Sequence, residues 1–437
     1  MTENMNLKIN EKNHLTIGGC DCVDLVHQYG TPLYVMDEAV IRNNMRMYKN
    51  AMDKYYDGKG LVLYASKAFC TMATCKIAQQ EGLGLDVVSG GELYTALRAG
   101  FPMNKVYFHG NNKTPTELHE AIDAGIGRIV VDNLHELELI NRIAGEKRRS
   151  VKISFRVKPG VDAHTHDFVQ TGQIDSKFGV ALENGEAYEF VERAKDMPFV
   201  ELVGVHCHIG SQIFDLEPFV VTARIMLDFI ADIKSKYGVI IKELNLGGGF
   251  GIKYTESDDP IEYDSYIAKV SELINEICKE RGIEKPFMLM EPGRSIVAPA
   301  GITLYTVGSV KEIRDIRKYV AIDGGIFDNP RYALYQSKYT LMLANRANDP
   351  ATEQVTVAGK CCESGDLIAK DTWLPEARPG DIIAVLATGA YNYSMSMNYN
   401  RNGRPPVVLV KDGHSRVIVK RENYDDIIRN DIIPEDL

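Results

Sequence analysis

The run GLVLYASKAF (60–69) is apolar and strand-like, and it closes on a lysine. Burying an ammonium without a partner is very unfavourable, so Lys67 needs either a path to solvent or a chemical role. A lone strand-end lysine most often snorkels, its stem covered and its head in water. Other residues shift that balance. Further apolar runs finish on or beside His109, Arg156, the pair His206 and His208 in HCHIGS, the glycines of GGGFG (247–251), and Glu291 to Arg294 in EPGR. Glycines let backbone N–H groups surround an anion closely. No Gly-Lys-Ser/Thr follows them and no GxGxxG opens a helix, which counts against a Walker-type loop and a dinucleotide fingerprint. GGGFG alone is as readily a tight turn.

The elements that must position these residues are legible as an alternation. Strand-like runs occur at 60–66, 83–89, 105–110, 128–133, 152–157, 200–208, 241–246 and 286–291. Between them lie stretches with apolar residues at three- and four-residue spacing: 70–82, 90–99, 115–124, 134–147, 183–196, 216–238 and 261–282. Another, EAVIRNNMRMYKNAM, precedes the first strand. Thr114, Pro115 and Glu117 predict a helix start with a capping box, and Ser89 with Glu92 repeats that pattern. Eight alternations over about 250 residues predict an α/β fold of the (β/α)₈ TIM-like barrel type across 38–295, rather than a doubly wound open sheet. Chemistry in such barrels gathers at the C-terminal strand ends, where Lys67, His109, His206, GGGFG and EPGR all fall. After 295 the texture turns β-rich, and Asp412-Gly413 between alternating runs marks a hairpin, so 296–437 reads as an all-β domain.

On one rim these parts have a joint meaning. A desolvated lysine loses its proton more readily, and the neutral amine forms Schiff bases with carbonyls. A glycine turn after the seventh and eighth strands suits a phosphate. A carboxylate such as Glu291 keeps a pyridine nitrogen protonated and strengthens the ring as an electron sink. Together they ask for pyridoxal 5′-phosphate. Composition sets limits on the rest. The 437-residue length favours two domains. A formal charge of −10 argues against a nucleic-acid or anionic-membrane surface. The eight cysteines show no zinc spacing, and no apolar run approaches the roughly 18 residues of a membrane span. With no signal-like apolar core in MTENMNLKIN, the expected setting is cytoplasmic, with reduced thiols. His206 and His208, two apart on a strand, face the same way, and HTH (164–166) is a second histidine pair. Neither has a third ligand at a convincing spacing, so no metal is expected.

YASKAF, HCHIGSQ, NLGGGFG, EPGR, CESGD and GAYNYSMSMNYN, running from residue 64 to about 405 in order, resemble the fold type III decarboxylases that use pyridoxal phosphate. The resemblance implies roles. Lys67 would be the Schiff-base lysine and His208 would stack on the cofactor ring. Ser211, Gly248, Gly249, Gly293 and Arg294 would hold the phosphate, and Glu291 would pair with the pyridine nitrogen. Tyr391 would reach the phosphate or the cofactor face. Cys362 and Glu363 would enter the partner subunit's site, which implies a head-to-tail homodimer with shared sites. Residues 1–37 would join the β-rich domain of 296–437. After loss of carbon dioxide, Cys362 or Lys67 would return the proton.

The resemblance further implies meso-2,6-diaminopimelate as the substrate, giving L-lysine and carbon dioxide. Its far end needs a cation for a carboxylate and an anion for an ammonium. Arg331 and Tyr335 in FDNPRYALY, with Arg294, Glu363 and Tyr391, fit that need, because arginine clamps a carboxylate with two parallel hydrogen bonds. A decarboxylase of ornithine, lysine or arginine is the alternative on the same scaffold, and it would leave Arg331 unpaired in a closed pocket. A racemase would need two opposed bases. A pyridoxal-phosphate carrier would be a lone barrel, which the β-rich domain with CCESGD opposes. Two positions depart from the family pattern. Phe69 stands where Asn is frequent and Tyr332 where Pro is frequent. Neither removes a group that the chemistry needs.

Overall fold

The computed structural model describes residues 5–161 and 175–437. The HTH histidines at 164–166 lie outside the described residues. The chain divides into two compact units. One comprises Arg42–Ile252 and Asp259–Ser295. The other comprises Met1–Ile41, Lys253–Asp258 and Ile296–Leu437.

The first unit is a closed parallel barrel. Its strands are Gly60–Ala65, Gly84–Val87, Val106–Phe108, Arg128–Val131, Val151–Lys158, Val200–His206, Glu243–Asn245 and Phe287–Met290. Each pairs in parallel with the next. The Phe287–Met290 strand pairs with Gly60–Ala65 and closes the ring. A two-residue strand, Val180–Ala181, adds to Val151–Lys158. It is too short to leave a periodic signal in the sequence. Leu63, Tyr107 and Leu289 form a core cluster with Leu61 and Phe287 packed on it, and fully burying such side chains stabilises by about 2 kcal/mol each.

Local rules explain most helix starts. Thr114 accepts from Glu117 N and Glu117 reaches back to Thr114 N, with Pro115 at the first helical position. Ser89 caps Gly90–Arg98 by accepting from Glu92 N. There the reciprocal half of the expected box is missing. Glu92 instead accepts from Val88 N at 2.8 Å and from the Ser66 hydroxyl at 2.9 Å. A capping carboxylate has thus been diverted to the turn that carries Lys67.

The second unit is β-rich. Its main sheet runs Leu367–Leu374, Glu353–Ala358, Arg317–Ile322, Gly301–Ile313, Leu33–Asp37, Val407–Lys411, His414–Val419. Leu33–Asp37 is antiparallel to Gly301–Ile313 and parallel to Val407–Lys411. Asp412 and Gly413 both take positive φ, 50° and 78°, as a type I′ hairpin requires. Tyr305, Val320, Leu343, Val357 and Ile383 lie in the core of this unit. The short segment Lys253–Asp258 belongs here rather than with the barrel that flanks it in sequence. Tyr254 meets Tyr339 edge-on at 5.4 Å, and its carbonyl accepts from Thr340 at 2.9 Å.

Candidate active site

Five barrel strands bring polar groups together at their C-terminal ends. Glu291 follows Phe287–Met290, His206 ends Val200–His206, His109 follows Val106–Phe108, Asn245 ends Glu243–Asn245, and Asp86 lies in Gly84–Val87. All five are buried. Glu291 accepts from Asn245 Nδ2 at 2.7 Å, and His109 Nε2 and His206 Nε2 stand 2.8 and 3.2 Å from its oxygens. Burial alone would raise its pKa, but the two histidines pull it well below the usual carboxylate range. His206 is pushed the other way, to about 4, chiefly by burial. A neutral imidazole donating N–H to an anion satisfies both. Asp86 lies 3.8 Å from His109 Nε2 and 4.0 Å from Lys67 Nζ. Burial raises its pKa, against the pull of His109 and Lys67.

The glycine turn sits directly against this cluster. Glu291 N donates to Gly247 O at 2.7 Å, and Gly247 N donates to Asn245 Oδ1 at 2.9 Å. A Cβ at Gly248 would lie 2.2 Å from the Glu291 carbonyl oxygen, and one at Gly249 would lie 2.5 Å from Gly210 O. Gly293 is packed on Ala65 with similarly little room. Only glycine allows these backbones to approach so closely. Gly248 N donates to His208 Nδ1 at 3.3 Å. That bond leaves the His208 proton on Nε2, and burial lowers its pKa well below the ordinary value. Arg294 is buried, and its Nη2 donates to the Ser211 hydroxyl at 2.8 Å.

Lys67 differs from its expected setting. The strand ends at Ala65, and Lys67 lies in the 3₁₀ turn Ser66–Ala68. Its side chain is 42 % exposed. The protein's own residues cover the rest of it. Phe69 is buried instead, and its carbonyl accepts from the Tyr64 hydroxyl at 2.8 Å. His206 and His208 do not converge as their spacing suggested. His208 falls past the strand end and turns to the glycine loop, while His206 meets His109 ring to ring at 4.7 Å. Two histidine nitrogens and a Glu291 oxygen lie within 4.8 Å of one another, a metal-compatible spacing in which His206 hydrogen-bonds Glu291 and His109 stands at ion-pair distance from it.

The β-rich unit presents its own chemical groups. Arg331 opens the short helix Arg331–Tyr335 and is buried. Its guanidinium carbon lies 5.0 Å from the Tyr335 ring centre and 5.1 Å from that of Tyr391. Its Nη1 meets the Met395 sulfur at 3.8 Å, and its Nε is buried without a hydrogen-bond partner among the described residues. Tyr391 has φ 69°, an uncommon value for a bulky residue, and such strain persists only where surrounding structure enforces it. Cys362 and Glu363 lie on an exposed loop, and Cys362 N donates to Asn400 Oδ1 at 2.8 Å. Cys361 is half-buried, and burial with the nearby Asp366 carboxylate pushes its thiol up to about 11. All eight cysteines are unpaired.

The barrel-end groups fit pyridoxal 5′-phosphate on their own chemistry. A held carboxylate, a neutral flat imidazole, a glycine cradle that no Cβ can enter, a serine–arginine pair and an accessible amine are what the ring, phosphate and aldehyde require. Asp86 and Asn245 were not singled out in the sequence. Their signal was position alone, since Asn245 immediately precedes the glycine motif and Asp86 sits in a strand one pairing away from Lys67.

Comparison with known proteins agrees with that chemistry. Residues 38–298 match the family of the pyridoxal-dependent decarboxylase, pyridoxal binding domain. The chain is 53 % identical over 419 residues to the diaminopimelate decarboxylase of Bacillus methanolicus, covering 95 % of this chain and 96 % of that one. It is 49 % identical over 423 residues to the enzyme of the same name from Bacillus subtilis (strain 168), covering 97 % and 96 %. Its fold is similar to the crystal structure of diaminopimelate decarboxylase from M. jannaschii in complex with L-lysine, with a TM-score of 0.94, 37 % identity and complete coverage of both chains.

Proposed function

The chain belongs to the pyridoxal-dependent decarboxylases, and from that footing we propose how its residues release carbon dioxide from meso-2,6-diaminopimelate to leave L-lysine. It is a carboxy-lyase that uses pyridoxal 5′-phosphate. When bound, the protonated ring takes up the electron pair freed as the bond to the carboxylate breaks. The chain's own residues do the rest. Lys67 would supply the amine that holds the aldehyde. Ser211, Gly248, Gly249, Gly293 and Arg294 bind the phosphate, with Tyr391 reaching the phosphate or the ring face. His208, a neutral imidazole, would stack on the ring. Glu291 keeps the pyridine nitrogen protonated. Cys362 or Lys67 delivers the proton that replaces the lost carboxylate. The single observation that carries this reading is the buried Glu291 anion, held by Asn245 at 2.7 Å and faced by His109 and His206.

Arg331 and Tyr335 take the distal carboxylate, with Arg294 and Tyr391 contributing to the substrate site. A buried guanidinium with an unpartnered Nε, flanked by two aromatic rings, supports this. Glu363 takes the distal ammonium. The exposure of Cys362 and Glu363 supports their delivery to the site of a second copy, in a head-to-tail homodimer. A cytoplasmic setting is supported by eight unpaired thiols. No helix among the described residues is long and apolar enough to cross a membrane. Borohydride reduction tests the central role. It should fix the cofactor on Lys67 in the peptide map. Lys67→Ala should lower turnover by about a thousandfold or more. A modified lysine elsewhere overturns the assignment.

A further inference from the structure

The CESGD motif contributes Cys362 and Glu363 to the proposed chemistry, and its last residue is unused. Asp366 is 2 % exposed. Its two carboxylate oxygens serve two different loops. Oδ1 accepts from Ile326 N at 2.6 Å, and Oδ2 accepts from Cys361 N at 2.7 Å. The main chains of the two loops are also joined, by Lys360 N to Gly324 O at 3.0 Å, and the Cys361 loop is closed on itself by Gly359 N to Asp366 O at 2.9 Å. A Cβ at Gly359 would stand 2.3 Å from both Asp366 oxygens, and one at Gly325 would stand 2.5 Å from the nearer. The carboxylate is therefore held in a cradle built for it.

Each loop leads within a few residues to a group placed at the far end of the substrate. From Ile326 the chain turns through Asp328, whose Oδ1 accepts from Gly325 N at 2.7 Å, and reaches Arg331. From Cys361 it passes directly to Cys362 and Glu363, and Asp366 N closes that loop on Glu363 O at 3.1 Å. A carboxylate offers one acceptor oxygen to each loop. An asparagine offers one acceptor and turns an NH₂ toward the other backbone N–H.

We propose that Asp366 is a positioning residue that holds the loop of Arg331 for the site of its own chain and the loop of Cys362 and Glu363 for the site of the second copy, and so sets recognition of the substrate's distal amino-acid group at both. This rests on the roles given above to Arg331 and Glu363.

The test is a mutant cycle in the full-length enzyme loaded with cofactor. Asp366→Asn should leave cofactor content and the visible spectrum unchanged. It should raise KM for diaminopimelate and lower kcat/KM by about tenfold or more, the loss expected for a charged hydrogen bond in a buried site. In a background of Arg331→Ala with Glu363→Ala, the same substitution should add little, because its effect passes through those residues. A merely structural lesion would lower kcat/KM equally in both backgrounds. Equal losses, or unchanged kinetics in the single variant, overturn the proposal. Should Asp366→Asn fail to fold, Gly359→Ala displaces the carboxylate while retaining it and should give the same KM signature and the same coupling; full additivity there is the overturning result. If instead Arg331→Ala and Glu363→Ala themselves leave diaminopimelate kinetics intact, the underlying assignment of the distal site fails, a result distinct from loss of coupling alone.

Discussion

A histidine that is 1 % exposed and 3.2 Å from a carboxylate is pulled two ways. Burial disfavours the charged ring of His206, Glu291 favours it, and His109 and Arg156 oppose it again. Burial wins, and the pKa falls from 6.5 to about 4. Between those values the unfolded chain binds more protons than the folded one, so stability rises with pH across that window. The contribution of His206 is complete above pH 6.5 and is lost as the pH falls toward 4. Its size is on the order of 3 kcal/mol. Urea unfolding of the wild type at pH 7 and pH 4.5 should show this extra acid loss. His206→Gln, which does not titrate, should be less stable at pH 7 yet flatter with pH. An equal pH slope in both proteins would mean that the imidazole is not held neutral. The same neutrality suits the proposed chemistry, because a donor without charge leaves Glu291 as the anion.

The glycine turn after the seventh barrel strand is where an element acts as a unit. Gly248 has no space for a side chain, since its Cβ would meet the Glu291 carbonyl oxygen at 2.2 Å. Gly248→Ala must push the two strand ends apart, a strain of about 1–3 kcal/mol. Cofactor affinity, read from absorbance titration of the apoenzyme, should fall about tenfold or more. Gly91→Ala is the control. Its nearest neighbour would be 3.7 Å away, and it lies in the helix Gly90–Arg98, so affinity should hold and stability rise slightly. Elements of this kind were legible in the sequence because their signals are local. The eight parallel strands, the Thr114 capping box and the Asp412-Gly413 hairpin each follow from a few adjacent residues. What was not legible depended on distant partners. The departure of Glu92 from its helix cap, the meeting of His109 with His206 and the attachment of Lys253–Asp258 to the β-rich unit are fixed by closure of the sheets. The end of the first barrel strand was misplaced for a local reason: the apolar run reads on to Lys67, whereas the strand stops at Ala65 and a short 3₁₀ turn carries the lysine.

At the scale of the whole molecule, Lys67 and Cys362 belong to different compact units, and the proposed assembly pairs the lysine of one copy with the thiol of another. Mixed dimers decide this. Lys67→Ala and Cys362→Ala should each be nearly inactive alone. If each site draws its lysine and its thiol from different chains, a dimer with one copy of each variant has one site lacking both groups and one site intact. Random reassociation of equal amounts, after mild dissociation, should then restore about a quarter of wild-type activity, because half the dimers are mixed and each carries one competent site. If both groups come from one chain, every site keeps a defect and nothing is restored. Should Cys362→Ala alone retain full turnover, Lys67 is the proton donor, and Glu363→Ala takes its place in the pairing, read through KM for diaminopimelate. Activity should also fall on dilution below the dimer's dissociation constant and follow the dimer fraction seen by sedimentation, since a site completed by a second copy is absent in the monomer.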